Sequence, residues 1–292
     1  MAVGRKRNYE KLKDKWIKKH EELSADLFTK HRESLDWLSK NTKQIAATSL
    51  GSLILLASPG SPTLRLPDTQ AQTFPIELDS KIFLISDLEK LLPQEIRELT
   101  PDEEEKIGQI LSRDFGVKAT AVLDGKRLNR SYGLIGAEQH LARFPGDNMS
   151  AHFDNPEEAR LHYSSGMAPG LSAWGYFAPS KEQMTEEDKD RERYYIAVQT
   201  FLAPDFNQKV EQYRDFFRFR KMLVVNPQNG KGIVTAIGDA GPAVWTGKHL
   251  GGSPEVMKYL ERQDGRARGP VLYYFIDDSQ NVVPLGPIDV VK

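Results

Sequence analysis

Asp239 is the residue whose type and surroundings point most directly to chemistry. It follows an apolar run that contains Ile233 and Ile237, and Gly238 and Gly241 lie on either side of it. A carboxylate at the end of a buried strand is partly removed from water, which raises its pKa and lets it donate a proton. The pattern predicts a general acid. The alternative is an Asx-turn, in which Asp239 only accepts hydrogen bonds from turn amides.

Glu138 and His140 are the candidate catalytic partners of Asp239. They lie in the segment from Ser131 to Asp147, whose three glycines favour an irregular loop, and loops often carry functional residues. The alternative is a plain helix over residues 136–144, with His140 bonded to a backbone carbonyl. Asp239 alone is sufficient for a reaction in which a hydroxyl of the substrate is the nucleophile, because one carboxyl can then act first as the acid and afterwards as the base.

The sequence contains no recognisable pattern for binding a metal or a cofactor. His152, His162 and His249 have neither His-x-x-x-His nor Glu-x-x-His spacing, so we assign no metal. The chain has no cysteine, which excludes thiol nucleophiles and iron–sulfur clusters. It also lacks GxxxxGK[ST], GxGxxG and GxSxG patterns, which disfavours nucleotide enzymes and α/β-hydrolases, and we assign no cofactor.

Four aromatic residues lie among glycines and prolines, where loops are expected. Exposed rings of this kind stack on the apolar faces of sugars or line a binding groove. The alternative for each ring is burial in the core, which is common for tryptophan. The candidate substrate-binding residues are Tyr132, Trp174, Tyr176 and Trp245.

The elements that would position Asp239 are most clearly patterned over the last seventy residues. Two apolar runs on either side of Asn229-Gly230 predict a hairpin. Ser253 and Pro254 predict the N-cap and first position of a short helix. Further strands are expected at 81–85, 117–123, 193–202, 271–276 and 282–291, and helices at 100–115, 185–193 and 205–220.

The run from Leu223 to Leu260, LVVNPQNGKGIVTAIGDAGPAVWTGKHLGGSPEVMKYL, resembles the double-psi β-barrel pattern of the rare lipoprotein A, expansin and barwin group. GYFAP at 175–179 is similar to the entry of the membrane-bound lytic transglycosylase A barrel. The resemblance implies a barrel that cuts or binds β-1,4 glycans, with the strand-end aspartate of the family at Asp239. The helical insertion 203–220 and the replacement of the family arginine by Ala240 are departures, so the fold transfers more safely than the activity.

The N-terminal region has a different character. Residues 1–43 carry 12 Lys and Arg against 7 Asp and Glu and have helical spacing of apolar residues, and residues 44–58 are uncharged. The apolar run 45–57 would span about 20 Å as a helix, short of the roughly 30 Å hydrocarbon core. A basic region followed by an apolar one is typical of a secretory signal or signal anchor, and a buried core helix is the alternative.

We therefore expect an α+β protein, with a basic helical arm at 1–43, an apolar signal or membrane anchor at 44–58, a linker at 59–75 and an α+β domain at 76–292. That domain should contain a six-stranded double-psi-like β-barrel with helical insertions, best patterned over 222–292. The expected function is extracytoplasmic glycan processing, lytic-transglycosylase-like or glycosidase-like, on peptidoglycan or another polysaccharide. The alternative is a non-catalytic glycan-binding, scaffold or protein-interaction module. The acids interleaved in the basic arm disfavour nucleic acid as a partner.

Overall fold

The computed structural model describes residues 76–262 and 269–291. The predicted basic arm, apolar segment and linker, over residues 1–75, lie outside this part of the chain. Within the described part, no helix combines the length and the hydropathy that crossing a membrane would require.

Six strands of the described domain close into a barrel of mixed strand direction. Its strands are β4 (Tyr132–Ala137), β5 (Tyr195–Val198), β6 (Lys221–Val225), β7 (Gly232–Ala240), β8 (Leu250–Gly252) and β9 (Gly269–Ile276). The hydrogen-bonded order is β4, β8, β5, β7, β6, β9 and back to β4. The β4–β8 and β5–β7 pairs are parallel and the other pairs are antiparallel. The expected six-stranded barrel in an α+β domain is confirmed.

Short strands outside the barrel extend its sheet. The strand β1 (Ala119–Thr120) pairs with β9, and β10 (Gly286–Ile288) pairs with β7. The strands β2 (Val122–Leu123) and β3 (Lys126–Arg127) form a separate hairpin. The predicted strands 117–123 and 282–291 are therefore much shorter than their apolar runs.

Alternation along the strands divides the apolar residues between two cores. In β9, Val271, Tyr273 and Phe275 fill the barrel interior, whereas Leu272 and Tyr274 face an outer core. Successive strand residues point to opposite faces of a sheet. Both faces of β9 are buried, which explains why its sequence is an unbroken apolar run.

Two helices cover the outer core. They are α1 (Ile76–Leu91) and α2 (Pro101–Phe115), which contribute Leu84, Leu88, Ile107, Leu111 and Phe115. Thr100 and Glu103 form a capping box at the start of α2, and Gly116 ends it in the left-handed conformation, so the helix has the bounds predicted for it. The strand expected at 81–85 is wrong because this segment lies within α1, whose i, i+4 pair Leu84 and Leu88 is buried.

The hairpin and the last helix follow the prediction closely. Strands β6 and β7 pair from Val225 opposite Gly232, joined by a six-residue loop in which Gly230 has φ 69°. Ser253 caps α7 (Pro254–Tyr259) by accepting a hydrogen bond from the Val256 amide. The predicted helix 205–220 is a short 3₁₀ turn followed by α6 (Val210–Phe217), and the predicted strand 193–202 is ordered as β5 only over four residues.

A long connection from β4 to β5 covers one side of the barrel. It contains α3 (Met149–His152), α4 (Pro156–His162) and α5 (Glu186–Arg193), the last with a capping box formed by Thr185 and Asp188. Residues 138–147 are irregular, as predicted, but Tyr132–Ala137 before them form β4. The helix considered over 136–144 is therefore wrong.

A β-bulge lies where β7 passes β5. Ile196 pairs with Ile237 and the next residue, Ala197, pairs with Asp239, so Gly238 is the extra residue. A Cβ atom on Gly238 would lie 2.6 Å from the Cβ of the buried Tyr195. The close approach requires glycine here, and the bulge sets the direction of Asp239.

We expect Gly238→Ala to lower the free energy of unfolding by about 1–3 kcal/mol, because the buried Tyr195 cannot move away from the added methyl group. Urea denaturation of the full chain measures the change. The matched control is Gly170→Ala, where no described atom lies within 4 Å of the added Cβ, and its effect should stay within about 0.5 kcal/mol. Equal effects of the two substitutions would contradict the proposed close contact.

Candidate functional site

Asp239 is a half-buried residue near the end of β7, anchored through one of its two oxygens. Oδ1 accepts hydrogen bonds from the amides of Ala173, at 2.7 Å, and Ala240, at 2.8 Å. Within the described residues no hydrogen bond reaches Oδ2. The carboxylate therefore holds the loop around Ala173 against β7 and keeps its second oxygen free for another partner.

Burial raises the pKa of the Asp239 carboxyl above its usual value, although the hydrogen bonds from Ala173 and Ala240 lower it in part. A carboxyl of this kind stays protonated to a higher pH than an exposed aspartate. Asp239 thus accepts hydrogen bonds from backbone amides through Oδ1 while the pKa of its carboxyl is raised.

The loop after β7 carries Trp245, the most exposed of the four candidate aromatic residues. Trp245 lies in a 3₁₀ turn, Val244–Thr246, and is 88% exposed. The Gln199 side chain holds both ends of this loop by donating to the carbonyls of Pro242, at 3.0 Å, and Lys248, at 3.3 Å. The indole is therefore presented to solvent by a loop whose ends are fixed.

Glu138 follows β4 and makes an ion pair with the loop that carries Trp245. Its Oε1 lies 2.6 Å from Nζ of Lys248, which also donates to the carbonyl of Ala137 at 2.9 Å. The Glu138 side chain crosses Gly251, where a Cβ would come within 2.4 Å of its Cγ. The carboxylate is thus already held by a cation of the Trp245 loop.

His140 lies away from solvent, in a buried cluster with Asp147, His152 and Glu192. The ring of His140 is 4.7 Å from that of His152, centroid to centroid, and its Nδ1 is 3.6 Å from Oε1 of Glu192. His152 is bonded on both sides, by Nδ1 to Asp147 at 2.9 Å and by Nε2 to Glu192 at 3.1 Å. We call these four residues the buried histidine–carboxylate cluster.

Three different segments supply this cluster. His140 is held by backbone hydrogen bonds to Gly166 and Ala168, and His152 ends α3. Glu192 lies in the last turn of α5, and its Oε1 accepts a hydrogen bond from the Leu141 amide at 2.9 Å. The cluster joins the segment after β4 to the helices of the long connection.

The charges within the cluster follow from burial and pairing. Burial by itself would lower the pKa of His152, but the hydrogen bonds to Asp147 and Glu192 outweigh it and raise that pKa to about 9. Burial would raise the pKa of Glu192, and its two histidine neighbours hold it below its usual value. In this state His152 is an imidazolium between two carboxylates.

Tyr195 lies between the Asp239 region and the buried histidine–carboxylate cluster. Burial, followed by the negative charges of Glu192, Glu138 and Asp239, raises the pKa of its hydroxyl well above the usual value. Its hydroxyl donates a hydrogen bond to the carbonyl of Gln139. The structure brings the three predicted catalytic residues to one side of the barrel, but it does not bring them into contact with one another.

The other three predicted aromatics differ from Trp245. Tyr132 is a buried residue of β4 in the outer core, so its expected position in an exposed loop is wrong. Trp174 packs against the barrel interior, and its Nε1 donates to the Ile237 carbonyl at 3.1 Å. Tyr176 is partly buried. Trp174 and Asp239 together anchor the loop around Ala173.

Sequence reasoning missed the involvement of Glu192, Asp147 and Lys248. The sequence predicts a helix at 185–193 but assigns none of its charged residues to a site, yet Glu192 is 2% exposed. Every residue of the helix Glu186–Arg193 is charged, so no apolar pattern in the sequence marks Glu192 as buried. His152 and Asp147 lie five residues apart, outside any standard metal spacing, so only the fold brings them together with Glu192.

Comparison of the chain with protein-family models and with curated proteins finds no match in either case. The closed six-stranded mixed barrel is compatible with a double-psi fold, and the structure supports the predicted resemblance to this extent.

Replacing Asp239 by Asn tests the raised pKa of its carboxyl. Because that pKa lies above the unfolded value of about 3.9, the stability that Asp239 contributes is present below the unfolded pKa and is lost as the pH rises through the folded pKa. Asparagine does not ionise. The free energy of unfolding of Asp239→Asn, relative to the wild type, should therefore increase from about pH 3.5 to about pH 7. Urea denaturation at both pH values measures this difference, and a decrease would show a carboxylate stabilised by its charge.

Proposed function

We propose that the protein binds a β-1,4-linked glycan, such as peptidoglycan, at the end of the barrel that carries Asp239 and Trp245. The observation that carries the proposal is the exposed indole of Trp245 on the loop directly after the strand of Asp239. An exposed aromatic ring held on a loop with fixed ends offers a stacking face at little cost in conformational entropy.

Polar groups beside the indole fit the same class of ligand. The free Oδ2 of Asp239 can accept a hydrogen bond from a sugar hydroxyl, and the Glu138–Lys248 ion pair offers both a donor and acceptors near the end of the Trp245 loop. Sugars are bound by this combination of an apolar face and a few fixed polar groups. The resemblance of 223–260 to glycan-binding barrels supports the same ligand.

Cleavage of the glycan is the second candidate function, and one observation favours it. Asp239 has a raised pKa and an oxygen free of hydrogen bonds. Glu138 is paired with Lys248 and His140 is fully buried, so neither supplies a second catalytic group. The chemistry proposed is therefore of the lytic-transglycosylase type, in which Asp239 protonates the glycosidic oxygen and then accepts a proton from the hydroxyl of the sugar that attacks.

The proposed setting is the outside of the cytoplasmic membrane, where such glycans occur. The basic residues 1–43 and the uncharged residues 44–58 support an exported or membrane-anchored chain. This part of the proposal rests on sequence alone, because these residues lie outside the described part.

Trp245→Ala tests the binding proposal. We expect retention of the full chain on insoluble peptidoglycan to fall about tenfold or more, since a lost stacking contact of roughly 1.4 kcal/mol changes an equilibrium constant by that factor. The melting temperature should change little because the indole is exposed. The matched control is Phe83→Ala, which removes another exposed aromatic ring, 68% exposed on α1. Equal retention of both variants and the wild type would contradict the proposal.

Asp239→Asn distinguishes binding from cleavage. If Asp239 is the proton donor, the variant should lose release of anhydro-sugar from peptidoglycan while its retention on the insoluble polymer is kept. The release is measured by chromatography of the soluble products. A wild type that is retained but releases no product would leave the binding function and exclude the cleavage function.

A further inference from the structure

We propose that His140, His152 and Glu192 bind one divalent transition-metal ion of the zinc class. The donor atoms of these three residues all lie within 4.8 Å of one another. Two imidazoles and one carboxylate form a known three-residue ligand set for zinc. The site lies apart from Asp239 and Trp245, and the proposal does not depend on the proposed glycan function.

The spacing of the donor atoms suits a metal ion. Nε2 of His152 is 3.1 Å from Oε2 of Glu192, and Nδ1 of His140 is 3.6 Å from Oε1 of Glu192. Zinc bonds of 2.0–2.2 Å in a tetrahedral site place neighbouring ligand atoms about 3.3 Å apart. Small adjustments of the side chains are therefore sufficient to bring these donors around one ion.

His140 supplies an independent indication of a missing ligand. Its side chain is 0% exposed, and no residue in the described part of the chain forms a hydrogen bond with Nδ1 or Nε2. Buried polar groups are almost always satisfied, and an unsatisfied one destabilises the folded state. A metal bond to one ring nitrogen would satisfy the His140 ring, whose nearest carboxylate oxygen, at 3.6 Å, lies beyond hydrogen-bonding distance.

The surroundings of His152 resemble the outer shell of a metal site. Asp147 lies 2.9 Å from Nδ1 of His152 and holds the ring so that Nε2 faces Glu192. Metal-binding histidines commonly donate their second ring nitrogen to a carboxylate, which fixes the orientation of the ring. Metal binding would replace the proton on Nε2 of His152.

The same region offers a position for a fourth ligand. A cavity of about 10 Å³ is lined by His152, Glu192 and Glu255, among other residues. Oε2 of Glu255 is buried and has no hydrogen-bond partner among residues 76–262 and 269–291. One water molecule, which a cavity of this size can hold, would complete four-coordination.

The chemistry of the ligands selects the class of metal and its role. Imidazole nitrogen suits zinc and its neighbours among the transition metals, whereas magnesium and calcium take oxygen ligands. None of the three ligands is more than 4% exposed, so a substrate has no access to the ion. The site would have a structural role, joining the segment after β4 to α3 and α5.

Thermal unfolding of the full chain tests the proposal. The protein is stripped of metal with a chelator and melted alone, with Zn²⁺ and with Mg²⁺. Zinc at about one hundred times its dissociation constant should raise the melting temperature by about 5–10 °C, and magnesium should have no effect. In wild-type protein loaded with Co²⁺, a visible ligand-field band should appear. No shift with zinc together with no cobalt band would overturn the proposal and leave His152 as a protonated member of a purely ionic cluster.

Variants locate the ion. His140→Gln and Glu192→Gln should each lose the zinc-dependent shift, while circular dichroism shows that they remain folded. The control His162→Gln replaces another buried histidine, whose ring is 6.4 Å from that of His140, and should keep the shift. A shift that persists in both test variants would place the zinc elsewhere and overturn the proposal. If a test variant does not fold, X-ray absorption of zinc in the wild type decides, because fewer than two imidazole ligands would exclude this site.

Discussion

Hydrogen bonding between β4 and β9 closes the barrel, and the rest of the described structure depends on this closure. Tyr132 pairs with Leu272 and Ile135 with Gly269 along this seam. Each barrel strand is then paired on both sides, which leaves no barrel edge open to other chains. Closure also creates an inside and an outside, so each strand of this ring has two faces to cover.

The connections between the strands cover the outer face of the barrel. The candidate sites lie in these connections. Helices α1 and α2 cover one side, and the long connection from β4 to β5 covers another. Polar groups carried by that connection become buried against the barrel and must find partners among themselves. The buried histidine–carboxylate cluster is the result. His152 bonds to both Asp147 and Glu192, whereas among the described residues no hydrogen bond reaches the His140 ring or Oδ1 of Asp147.

The parts of the fold that could be predicted from sequence are those set by local interactions. The start of α2, the hairpin of β6 and β7, and the N-cap of α7 each depend on residues a few positions apart, and they form where they were predicted. The strand expected at 81–85 failed because a short apolar run fits a buried helix as well as a strand. Tyr132 was placed in a loop because neighbouring glycines were taken as turn signals, whereas Gly133 and Gly136 instead make room for the side chains of His249 and Lys248.

In the candidate site, too, some features could be predicted from the sequence and others depend on the fold. The position of Asp239 at the end of an apolar strand was visible in the sequence, and so was the exposed loop of Trp245. The β-bulge at Gly238 was not, because it arises from the register between β5 and β7, which no local pattern encodes. Likewise, Glu192 and His152 are forty residues apart in the chain and meet only through packing of α5 against the segment after β4.

Burial by itself raises the pKa of three acidic residues of this domain. The partners of each carboxyl then decide whether its final pKa is raised or lowered. Burial raises the pKa of Asp239, which two backbone amides oppose only in part. It raises the pKa of Glu255 to about 7, where no strong donor opposes it. Glu192 is more buried than either, yet its two histidine neighbours reverse the effect and keep it ionised. Depth of burial alone therefore does not set the charge of a buried carboxyl: the pKa of Asp239 is raised and that of Glu192 is lowered because amides, and not cations, are the partners of Asp239.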